Sequence, residues 1–483
     1  MISTETRAKY TATIGIECHV QLKTKTKLFA AVGNDAREAP PNTLVSHICF
    51  GMPGALPVLN KEAIHLATRA ALALGTEPEH FSKFDRKHYF YPDLPKGYQI
   101  SQFDEPIIGK GEITIDVNGE AKKIGITRAH LEEDAGKSTH LAGADYSLVD
   151  LNRAGTPLLE IVSEPDMHSS AEAKAYAREL FLRMLYAGVS EANLYYGNMR
   201  FDVNVSVSQT QELGTRSETK NLNSFRSVEK AVDYEIIRQI ERLEKGEKIV
   251  QETRGWDDAK QKSFSQRSKE NADDYRYMPD PDIPPIVIEQ AYIDKIKKEM
   301  PELPDDYRQK FRAIDIDTSV IEDILASPQA AAMVARILKK GSPEDARRIA
   351  FWMMQLGEER AEDTEISQNT KPITDEQFIK LSQMVSDNKL SSTAAKDVLS
   401  EMLKTSQDPE SIAKTKNLFQ VSDEGVIAKI VEQVLADNAK AAEDVKNGEM
   451  KAIGFLVGQV MKLSKGTANP SLAQELIKKQ LGQ

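Results

Sequence analysis

The chain has 483 residues, of which 40% are hydrophobic and 28% charged, and a formal net charge of −11. This length exceeds what one hydrophobic core usually serves and predicts two or three domains. The acidic balance gives no overall sign of a nucleic-acid-binding protein, although a local basic surface can lie within an acidic total.

Cysteine usage and hydropathy limit the possible compartments. Two cysteines, Cys18 and Cys49, cannot form a disulfide framework or a four-thiolate zinc site. The N-terminal residues lack the apolar segment of a secretory signal, and no apolar run has the length of a membrane span. We therefore expect a cytoplasmic protein without membrane association.

The first predicted element is a strand, "IGIECHVQL" (Ile14–Leu22). Its apolar side chains share one parity and Glu17, His19 and Gln21 share the other, as in a strand buried on one face. Cys18 has the apolar parity, which favours a buried, unreactive thiol. The pattern alone leaves open whether the polar face is an exposed surface or the wall of a site.

Helices and strands alternate through the rest of the first half. Helices are predicted at Lys61–Gly75, Ser170–Gly188 and Ser227–Gly246. Strands are predicted at Leu158–Asp166, at Arg200–Ser208 and in a hairpin, Ile113–Thr127, that turns at Asn118-Gly119. These elements predict an α+β fold with a mixed or antiparallel sheet.

The chain changes character after the proline-rich segment Tyr277–Ile288. Met300–Arg308 is expected to be a connector, and Gly357–Pro372 an exposed loop or boundary. Amphipathic helices are predicted at Thr318–Ala326, Pro343–Leu356, Thr374–Ser386, Ser391–Thr405, Ser422–Lys446 and Glu449–Lys465. The second half is therefore expected to be all-α.

The C-terminal segment is basic. From Val445 onwards it holds six lysines and two glutamates, a net charge of +4 in an acidic protein. These lysines could form an ordinary solvated face or a surface that contacts backbone phosphates.

Charged residues recur on the polar faces of several predicted strands. The first strand carries Glu17 and His19. The other segments carry Arg128, His130, Glu132, Glu133 and Asp134, then Arg200, Asp202 and Asn204, then Glu218 and Lys220. Neighbouring carboxylates repel unless a cation lies among them, and an oxygen-rich set with one histidine suits Mg²⁺ or Mn²⁺. The alternative is a polar solvent face with scattered charges.

Several common catalytic motifs are absent. "EEDAGKS" ends like a phosphate-binding loop, but Leu131 stands where that motif needs its first glycine. Cys49 has His47 nearby, but nothing completes a triad, and no Gly-x-Ser-x-Gly motif occurs. If ATP is used, metal-binding carboxylates must hold it.

Many segments together resemble one family, the B subunits of the heterotrimeric aspartyl/glutamyl-tRNA(Asn/Gln) amidotransferases. They are "IGIECHVQL", "GMPGALPVLN", "YFYPDLPKGYQISQ", "LEEDAGKS", "DLNRAGTPLLEIVSEPD", "NMRFDVNVSV", "ETKNLNSFRSVEKA", "RYMPDPDIPP" and "GFLVGQVMKLSKGTANPSLAQELIKK". The resemblance runs essentially from end to end. It implies a cradle domain (1–295) distantly similar to glutamine synthetase, an all-α linker domain (296–407) and a small helical tRNA-binding tail domain (408–483).

The resemblance also implies an activity. The cradle would bind Glu-tRNA(Gln) or Asp-tRNA(Asn) by its acceptor end and would use ATP and Mg²⁺ to phosphorylate the side-chain carboxylate of the misacylated amino acid. Ammonia would then displace the phosphate. The ammonia would come from glutamine hydrolysed in the A subunit, and the C subunit would join the two. This division of labour agrees with the missing hydrolase motifs. No DNA partner is expected.

Site residues are carried over by matching positions. Glu17, His19 and the pair Glu132-Glu133 match metal-binding positions; strand parity favours Glu132 of the pair. Asp202 and Glu218 match further acidic site positions, and the predicted Mg²⁺ ligands are Glu17, His19, Glu132 and Asp202. Lys87 and Lys96 are expected along the ammonia route. The lysines expected to bind tRNA are Lys451, Lys462, Lys465, Lys478 and Lys479.

One family feature is missing. Many relatives carry four zinc-binding cysteines, whereas the corresponding segments here read "LFAAVG" and "SHIC" and keep only Cys49. We therefore expect no zinc and a loop, Ala30–Leu44, that is held by packing.

Two other classes of protein stay open as alternatives. One is a non-catalytic tRNA-binding scaffold, against which the acidic residues argue. The other is a free-standing, ammonia-using ligase of the glutamine-synthetase type, against which the basic tail argues. The sequence does not decide between Glu-tRNA(Gln) and Asp-tRNA(Asn), or both, as substrate.

Overall fold

A computed structural model of the chain describes residues 2–482 except 142, 269–274, 361–372, 421–423, 448, 450 and 465–467. The chain forms two compact units that divide after Pro304. The first unit is mixed α/β and is built on a large sheet, whereas the second is helical. This agrees with the predicted α+β half and all-α half, whereas the division into three domains stays a prediction.

The strands all lie in the first unit. They are β1 (Thr11–Gln21), β2 (Phe81–Ser82), β3 (Asp85–His88), β4 (Tyr98–Ser101), β5 (Gly111–Val117), β6 (Glu120–Glu133), β7 (Lys137–His140), β8 (Ser147–Asp150), β9 (Pro157–Ser163), β10 (Met199–Ser208), β11 (Ser217–Leu222), β12 (Glu252–Asp257), β13 (Lys262–Ser268), β14 (Met278–Pro279) and β15 (Ile286–Val287). Eight of them form one sheet in the order β13-β12-β11-β10-β1-β9-β6-β5. Every pair in it is antiparallel except β11 with β12, so the sheet is mixed.

The helices of the first unit are α1 (Thr4–Arg7), α2 (Lys61–Ala73), α3 (Ser170–Tyr186), α4 (Phe225–Glu244) and α5 (Gln290–Glu299). Helix α3 begins at the predicted place, where the Ser169 hydroxyl accepts a hydrogen bond from the backbone N–H of Glu172 at 3.2 Å. It ends before Gly188, whose φ of +65° suits the left-handed conformation that follows many helices.

Strand β1 lies in the middle of the sheet with one face in the core. The apolar residues Ile14, Ile16, Cys18, Val20 and Leu22 are each at most 1% exposed. Helices α3 and α4 pack over this face and complete the core. The predicted parity and the buried Cys18 thiol are therefore confirmed.

The predicted hairpin is also confirmed. Strands β5 and β6 pair through Asn118 and Gly119, whose φ angles are +56° and +86°. Two positive φ values in a two-residue loop define the primed turn that matches the twist of the strands.

The second unit consists of helices. They are α6 (Pro304–Arg312), α7 (Thr318–Leu325), α8 (Pro328–Lys340), α9 (Pro343–Arg360), α10 (Asp375–Ser386), α11 (Ser392–Thr405), α12 (Pro409–Thr415), α13 (Glu424–Asp437), α14 (Ala439–Lys446), α15 (Ala452–Leu463) and α16 (Pro470–Leu481). Helix α12 packs against α10 and α11, whereas α13 to α16 share a separate apolar cluster.

One prediction about these helices was wrong. The expected connector Met300–Arg308 does contain the division between the two units, although α6 begins within it because Pro304 is well suited to the first turn of a helix. The single helix expected over Ser422–Lys446 is two helices that meet at Asn438, whose φ and ψ of −125° and 48° are not helical. Of the predicted loop Gly357–Pro372, residues 361–372 lie outside the described residues. No helix in the described part of the chain is both long and apolar enough to cross a bilayer.

Candidate active site

The polar face of the large sheet gathers charged side chains from five adjacent strands. In the register of β1 with its neighbours, Glu17 lies opposite Asp202 of β10, and His19 lies opposite Glu160 of β9. Directly opposed residues of an antiparallel pair share a face with their Cβ atoms about 5 Å apart. We call this surface the acidic wall, and its members are Glu17, His19, Glu132, Glu160, Asp202 and Glu218.

Three carboxylates form the first half of the wall. Each of Glu17, Asp202 and Glu218 offers one oxygen, and these atoms all lie within 4.8 Å of one another. We call them the carboxylate cluster. The Lys220 ammonium lies 3.2 Å from the Asp202 carboxylate and 3.4 Å from the Glu218 carboxylate. Asn204 donates a hydrogen bond of 3.0 Å to Glu17 from its amide nitrogen.

The electrostatics of this cluster follow from crowding. Burial and then the negative charges of Glu160, Glu218 and Asp202 raise the pKa of Glu17. Burial acts against the Lys220 charge, but Asp202 and Glu218 outweigh it and raise the pKa of that ammonium. When all three cluster carboxylates are ionised, the Lys220 ammonium balances one of the three negative charges and leaves two unbalanced.

A histidine and two carboxylates form the second half, which we call the histidine cluster. His19 Nε2 lies 3.3 Å from Glu160 Oε2 and 3.7 Å from Glu132 Oε1. Burial disfavours a charged imidazole, but the hydrogen bond to Glu160 and the charges of Glu160, Asp202 and Glu132 raise the pKa of His19 to about 9. His130 Nε2 is 3.7 Å from Glu132 and 3.6 Å from Glu160.

The carboxylate cluster fits a magnesium ion by the chemistry of its donors. Mg²⁺ prefers oxygen ligands and is usually held by one or two carboxylates together with water and phosphate oxygens. A divalent cation would balance the two negative charges that Lys220 leaves. The histidine cluster could ligate a metal only after His19 loses its proton, because a protonated imidazole has no free lone pair.

The four predicted metal ligands therefore divide between the two clusters. Glu17 and Asp202 lie in the carboxylate cluster, and His19 and Glu132 lie in the histidine cluster. The clusters are close enough to interact, since Glu160 raises the pKa of Glu17. Their role as ligands stays a prediction.

Glu133 lies apart from the wall. Its Oε1 accepts hydrogen bonds from the Lys96 ammonium and, at 2.9 Å, from the backbone N–H of Ile100. Adjacent strand residues point to opposite faces, so the same parity that brings Glu132 to His19 takes Glu133 away from it. The structure thus separates the two members of the pair as parity indicated.

The two lysines expected along the ammonia route have different surroundings. Lys96 pairs with Glu133. The Lys87 ammonium lies 4.9 Å from the centre of the Tyr275 ring. Burial acts against the Lys87 charge, but Glu132 is the leading cause among those that raise its pKa. Their part in ammonia transfer stays a prediction.

A buried lysine holds the end of the loop Ala30–Leu44. The Lys27 ammonium donates to the carbonyl of Leu44 at 2.6 Å, to the carbonyl of Leu151 at 3.3 Å and to the sulfur of Cys49 at 3.3 Å. Lys27 is only 1% exposed, and burial lowers its pKa. These contacts of Lys27 add to the packing that was expected to hold the loop, and they were not predicted because "TKTK" resembles an ordinary surface segment.

The predicted tRNA-binding lysines lie in the helical unit. Lys451 and Lys462 lie at the two ends of α15. Lys478 and Lys479 lie in the last turn of α16, and Lys479 is 3.5 Å from Glu424. Lys465 lies outside the described residues.

Glu160 was missed as a site residue. It is the one charged residue in β9, "PLLEIVS", and such a residue on an otherwise apolar strand is a usable signal. Its contact with His19 depends on how β9 pairs with β1, which no local pattern shows.

Comparisons with known proteins agree on one family. Residues 12–294 match the model of the GatB/GatE catalytic domain, and residues 333–481 match the model of the GatB domain. The chain is 46% identical to the B subunit of the aspartyl/glutamyl-tRNA(Asn/Gln) amidotransferase from Caldicellulosiruptor bescii, over 98% of this chain and 99% of the relative. The B subunit from Carboxydothermus hydrogenoformans is 45% identical over the same shares.

A solved structure, the tRNA-binding domain of the glutaminyl-tRNA synthetase of Saccharomyces cerevisiae, matches 37% of this chain and 93% of that chain. Its TM-score is 0.24 at 10% identity, which is too low to support an assignment of fold or function. The expected likeness of the first unit to glutamine synthetase stays a prediction.

Proposed function

The chain belongs to the family of B subunits of the aspartyl/glutamyl-tRNA(Asn/Gln) amidotransferases, and we propose that it forms the side-chain amide on a misacylated tRNA. Its substrates are Glu-tRNA(Gln), Asp-tRNA(Asn) or both, together with ATP and ammonia. It acts as a carbon–nitrogen ligase within a cytoplasmic complex. The partners are the glutaminase, which is the A subunit, together with the connecting C subunit.

The reaction needs two steps because an ionised carboxylate is a poor electrophile. In the first, the side-chain carboxylate attacks the γ-phosphorus of ATP, the bond to the β-phosphate oxygen breaks, and an acyl phosphate and ADP result. In the second, ammonia attacks the acyl carbon, phosphate leaves, and the nitrogen loses one proton as the amide forms. Both approaching groups of the first step are anions, so the site must supply positive charge.

The acidic wall is the observation that carries this proposal. Glu17, Asp202 and Glu218 would hold Mg²⁺, and the cation would screen the γ-phosphate from the attacking carboxylate. Lys220 adds a fixed positive charge at the same place. The other two predicted ligands, His19 and Glu132, lie beside this cluster and would add a nitrogen and an oxygen donor to the metal site once His19 has lost its proton.

Other parts of the proposal rest on the family alone. Lys87 and Lys96 would line the route by which ammonia enters, and no zinc would be bound. The lysines of the second unit, Lys451, Lys462, Lys478 and Lys479 with Lys465, would contact the phosphates of the tRNA body. Residues 1–295, 296–407 and 408–483 would act as cradle, linker and tail.

The proposal is tested with the chain assembled with its glutaminase and connecting subunits. Glu-tRNA(Gln) and Asp-tRNA(Asn) are offered separately, with either glutamine or ammonium chloride as nitrogen donor. We expect ATP-dependent amide formation on at least one tRNA with both donors, and none when ATP is omitted. Glutamine hydrolysis without amide formation on either tRNA would instead indicate a non-catalytic tRNA-binding scaffold.

A further inference from the structure

The buried contact between Lys27 and Cys49 lies outside the acidic wall and takes no part in the proposed reaction. The Lys27 ammonium lies 3.3 Å from the Cys49 sulfur and also donates to the carbonyls of Leu44 and Leu151. An ammonium has three hydrogens, and these three acceptors use all of them. Among the three acceptors, only the sulfur can lose a proton and carry a negative charge. The pair therefore brings an amine and a thiol together in one buried contact.

The surroundings hold the two reactive atoms in place. The backbone N–H of Lys27 donates to the carbonyl of Val32 at 3.0 Å, and the carbonyl of Lys27 accepts from the Asn60 side chain at 3.2 Å. The Cys49 sulfur also lies 3.5 Å from the Ser46 hydroxyl. Reacting atoms that a protein holds about 3 to 3.5 Å apart are already placed to form a bond. The Lys27 nitrogen and the Cys49 sulfur meet that condition.

The sulfur lies just beneath the surface, and the lysine lies deeper. Cys49 is 6% exposed, whereas Lys27 is 1% exposed. His47 and Phe50, which flank Cys49 in the sequence, are both exposed. A small movement of this segment therefore lets a small neutral oxidant reach the sulfur, while the lysine stays behind it.

The charges of the pair favour reaction with a peroxide. A neighbouring ammonium favours the thiolate, and the thiolate is the form that peroxides oxidise to a sulfenic acid. Burial lowers the pKa of Lys27, whereas the charge of Cys49 raises it. Once the sulfur is oxidised, the charge that favours the ammonium is lost. Lys27 can then release a proton and become a neutral amine, which is a nucleophile.

The other cysteine lacks these features. Cys18 is buried in the middle of β1. Burial, followed by the charge of Asp202, raises the pKa of the Cys18 thiol well above its usual range. A thiol that stays protonated reacts poorly with peroxides. The chain therefore contains one thiol that should react and one that should not.

We propose that hydrogen peroxide joins Lys27 to Cys49 through a covalent sulfur–nitrogen bond. In the first step the thiolate attacks one peroxide oxygen, the O–O bond breaks and a sulfenic acid forms. The leaving hydroxide takes a proton from the Lys27 ammonium and becomes water. In the second step the amine attacks the sulfur, the S–O bond breaks, and hydroxide leaves as water with one proton from the nitrogen. The sulfur is oxidised by two electrons, and the peroxide is reduced by the same two.

The bond changes how the loop Ala30–Leu44 is held. The linked nitrogen keeps one hydrogen and loses its positive charge, so it can donate to only one of the two carbonyls that Lys27 now serves. The bond also closes residues 27–49 into a covalent ring. A thiol reverses the reaction by attacking the sulfur, as it does in thiol–disulfide exchange. The modification is therefore a reversible one.

Peptide mass spectrometry of the full-length chain tests this inference. The folded chain is treated with hydrogen peroxide, unreacted thiols are blocked, and trypsin is added. A linked Lys27 resists trypsin, so the peptide of residues 26–37 should appear joined to that of residues 38–61. The joined peptide should be lighter than its two parts by two hydrogens, or about 2 Da. Dithiothreitol before digestion should abolish it.

Two variants separate the cross-link from simple oxidation. Lys27→Arg keeps a positive charge beside the sulfur, but a guanidinium stays protonated and is no nucleophile. It should give a sulfenic acid that dimedone traps, without the joined peptide. Cys49→Ser should give neither product. Lys25→Arg is the matched control, because Lys25 is exposed in the same segment, and it should keep the wild-type yield of joined peptide.

The wild-type chain alone can overturn the inference. If peroxide leaves Cys49 unreacted, or oxidises it without giving the joined peptide, no sulfur–nitrogen bond forms. Equal oxidation of Cys18 and Cys49 in the folded chain would also count against it, because the reaction would then not depend on the lysine contact. The measurement needs neither tRNA nor the partner subunits, so its result leaves the proposed function untouched.

Discussion

The acidic wall and the lysines of the helical unit both present charge, but the fold positions them differently. In the wall, strand pairing fixes Glu17, Asp202 and Glu218 so that one oxygen of each lies within 4.8 Å of the others. In the helical unit, Lys451 and Lys462 stand at opposite ends of one helix, and Lys479 contacts Glu424. A site that polarises reacting atoms needs the first arrangement, whereas a surface that attracts phosphates can use the second.

This difference predicts unequal costs of substitution. In the proposed function, the members of the wall act together on the same atoms, so removing one should remove most of the activity. The lysines would act separately through a screened field, so each should contribute little to tRNA binding. Substitutions in the wall, in the loop Ala30–Leu44 and in the helical unit test that contrast, and they follow here in decreasing order of effect.

Among substitutions outside the carboxylate cluster, Glu160→Gln should have the largest effect. It leaves His19 with Glu132 as its remaining carboxylate neighbour within the histidine cluster. We expect turnover of amide formation to fall on the order of 100-fold, as when a group that orients a catalytic centre is lost. Initial rates at saturating substrates measure it.

The control for Glu160 is Glu120→Gln. Glu120 is exposed at the start of β6, at the other end of the strand from Glu132. It should keep wild-type turnover. Equal rates for the two variants would show that Glu160 does not belong to the wall.

Lys27→Met should have the next largest effect, on the loop rather than on the chemistry. It removes the donor to two buried carbonyls, and each unsatisfied carbonyl costs about 1–3 kcal/mol. We expect trypsin to cleave after Arg37 about 10- to 100-fold faster, because the cleavage rate follows the population of the open loop.

Lys25→Met is the matched control, since Lys25 is exposed and belongs to the same "TKTK" segment. It should leave cleavage after Arg37 near the wild-type rate. If both variants are cleaved at the same rate, the Lys27 contacts do not hold the loop.

The lysines of the helical unit should show the smallest effect. Deleting residues from Val445 would confound the test, because Val445 and Leu456 belong to the apolar cluster that α13 shares. The combined variant Lys451→Gln, Lys462→Gln and Lys478→Gln keeps that cluster intact. We expect a several-fold higher KM for tRNA, unchanged turnover at saturation, and a salt slope lower by about 0.9 for each lysine–phosphate contact that is removed.

If the combined variant showed a lower turnover and an unchanged KM for tRNA, the role of these lysines in tRNA binding would be contradicted. Three lysine-to-glutamine substitutions on a surface away from these lysines should leave the salt slope unchanged. Counterion release depends on contact with phosphates and not on net charge alone.

Features of the fold and the site that depend on neighbouring residues in the sequence could be predicted. Features that depend on contacts between distant segments could not. The two faces of β1 and the Asn118-Gly119 turn follow from local alternation and local backbone preference, and both were predicted. Glu17, His19, Glu132 and Asp202 were named as candidate site residues because each lies on a polar strand face. Their division into two clusters depends on which strands are neighbours, and distant segments decide that.

The residues that the sequence did not reveal also depend on contacts between distant segments. Glu160 gains its role from the pairing of β9 with β1. Lys27 is buried by carbonyls from two distant segments, although its own segment is typical of a surface. The break at Asn438 was missed although the residue gives a local signal, since Asn438 is the N-cap of α14 and asparagine is common at that position.

The central claim is that the acidic wall forms the acyl phosphate. The most direct measurement is a single-turnover assay with the assembled complex, misacylated tRNA and ATP, without glutamine or ammonia, in which ADP is quantified. The wild-type complex should release up to one ADP per site, only when the misacylated tRNA is present. Glu17→Gln should release none while its glutaminase partner stays active, and a wild-type burst from Glu17→Gln at saturating Mg²⁺ would contradict the account.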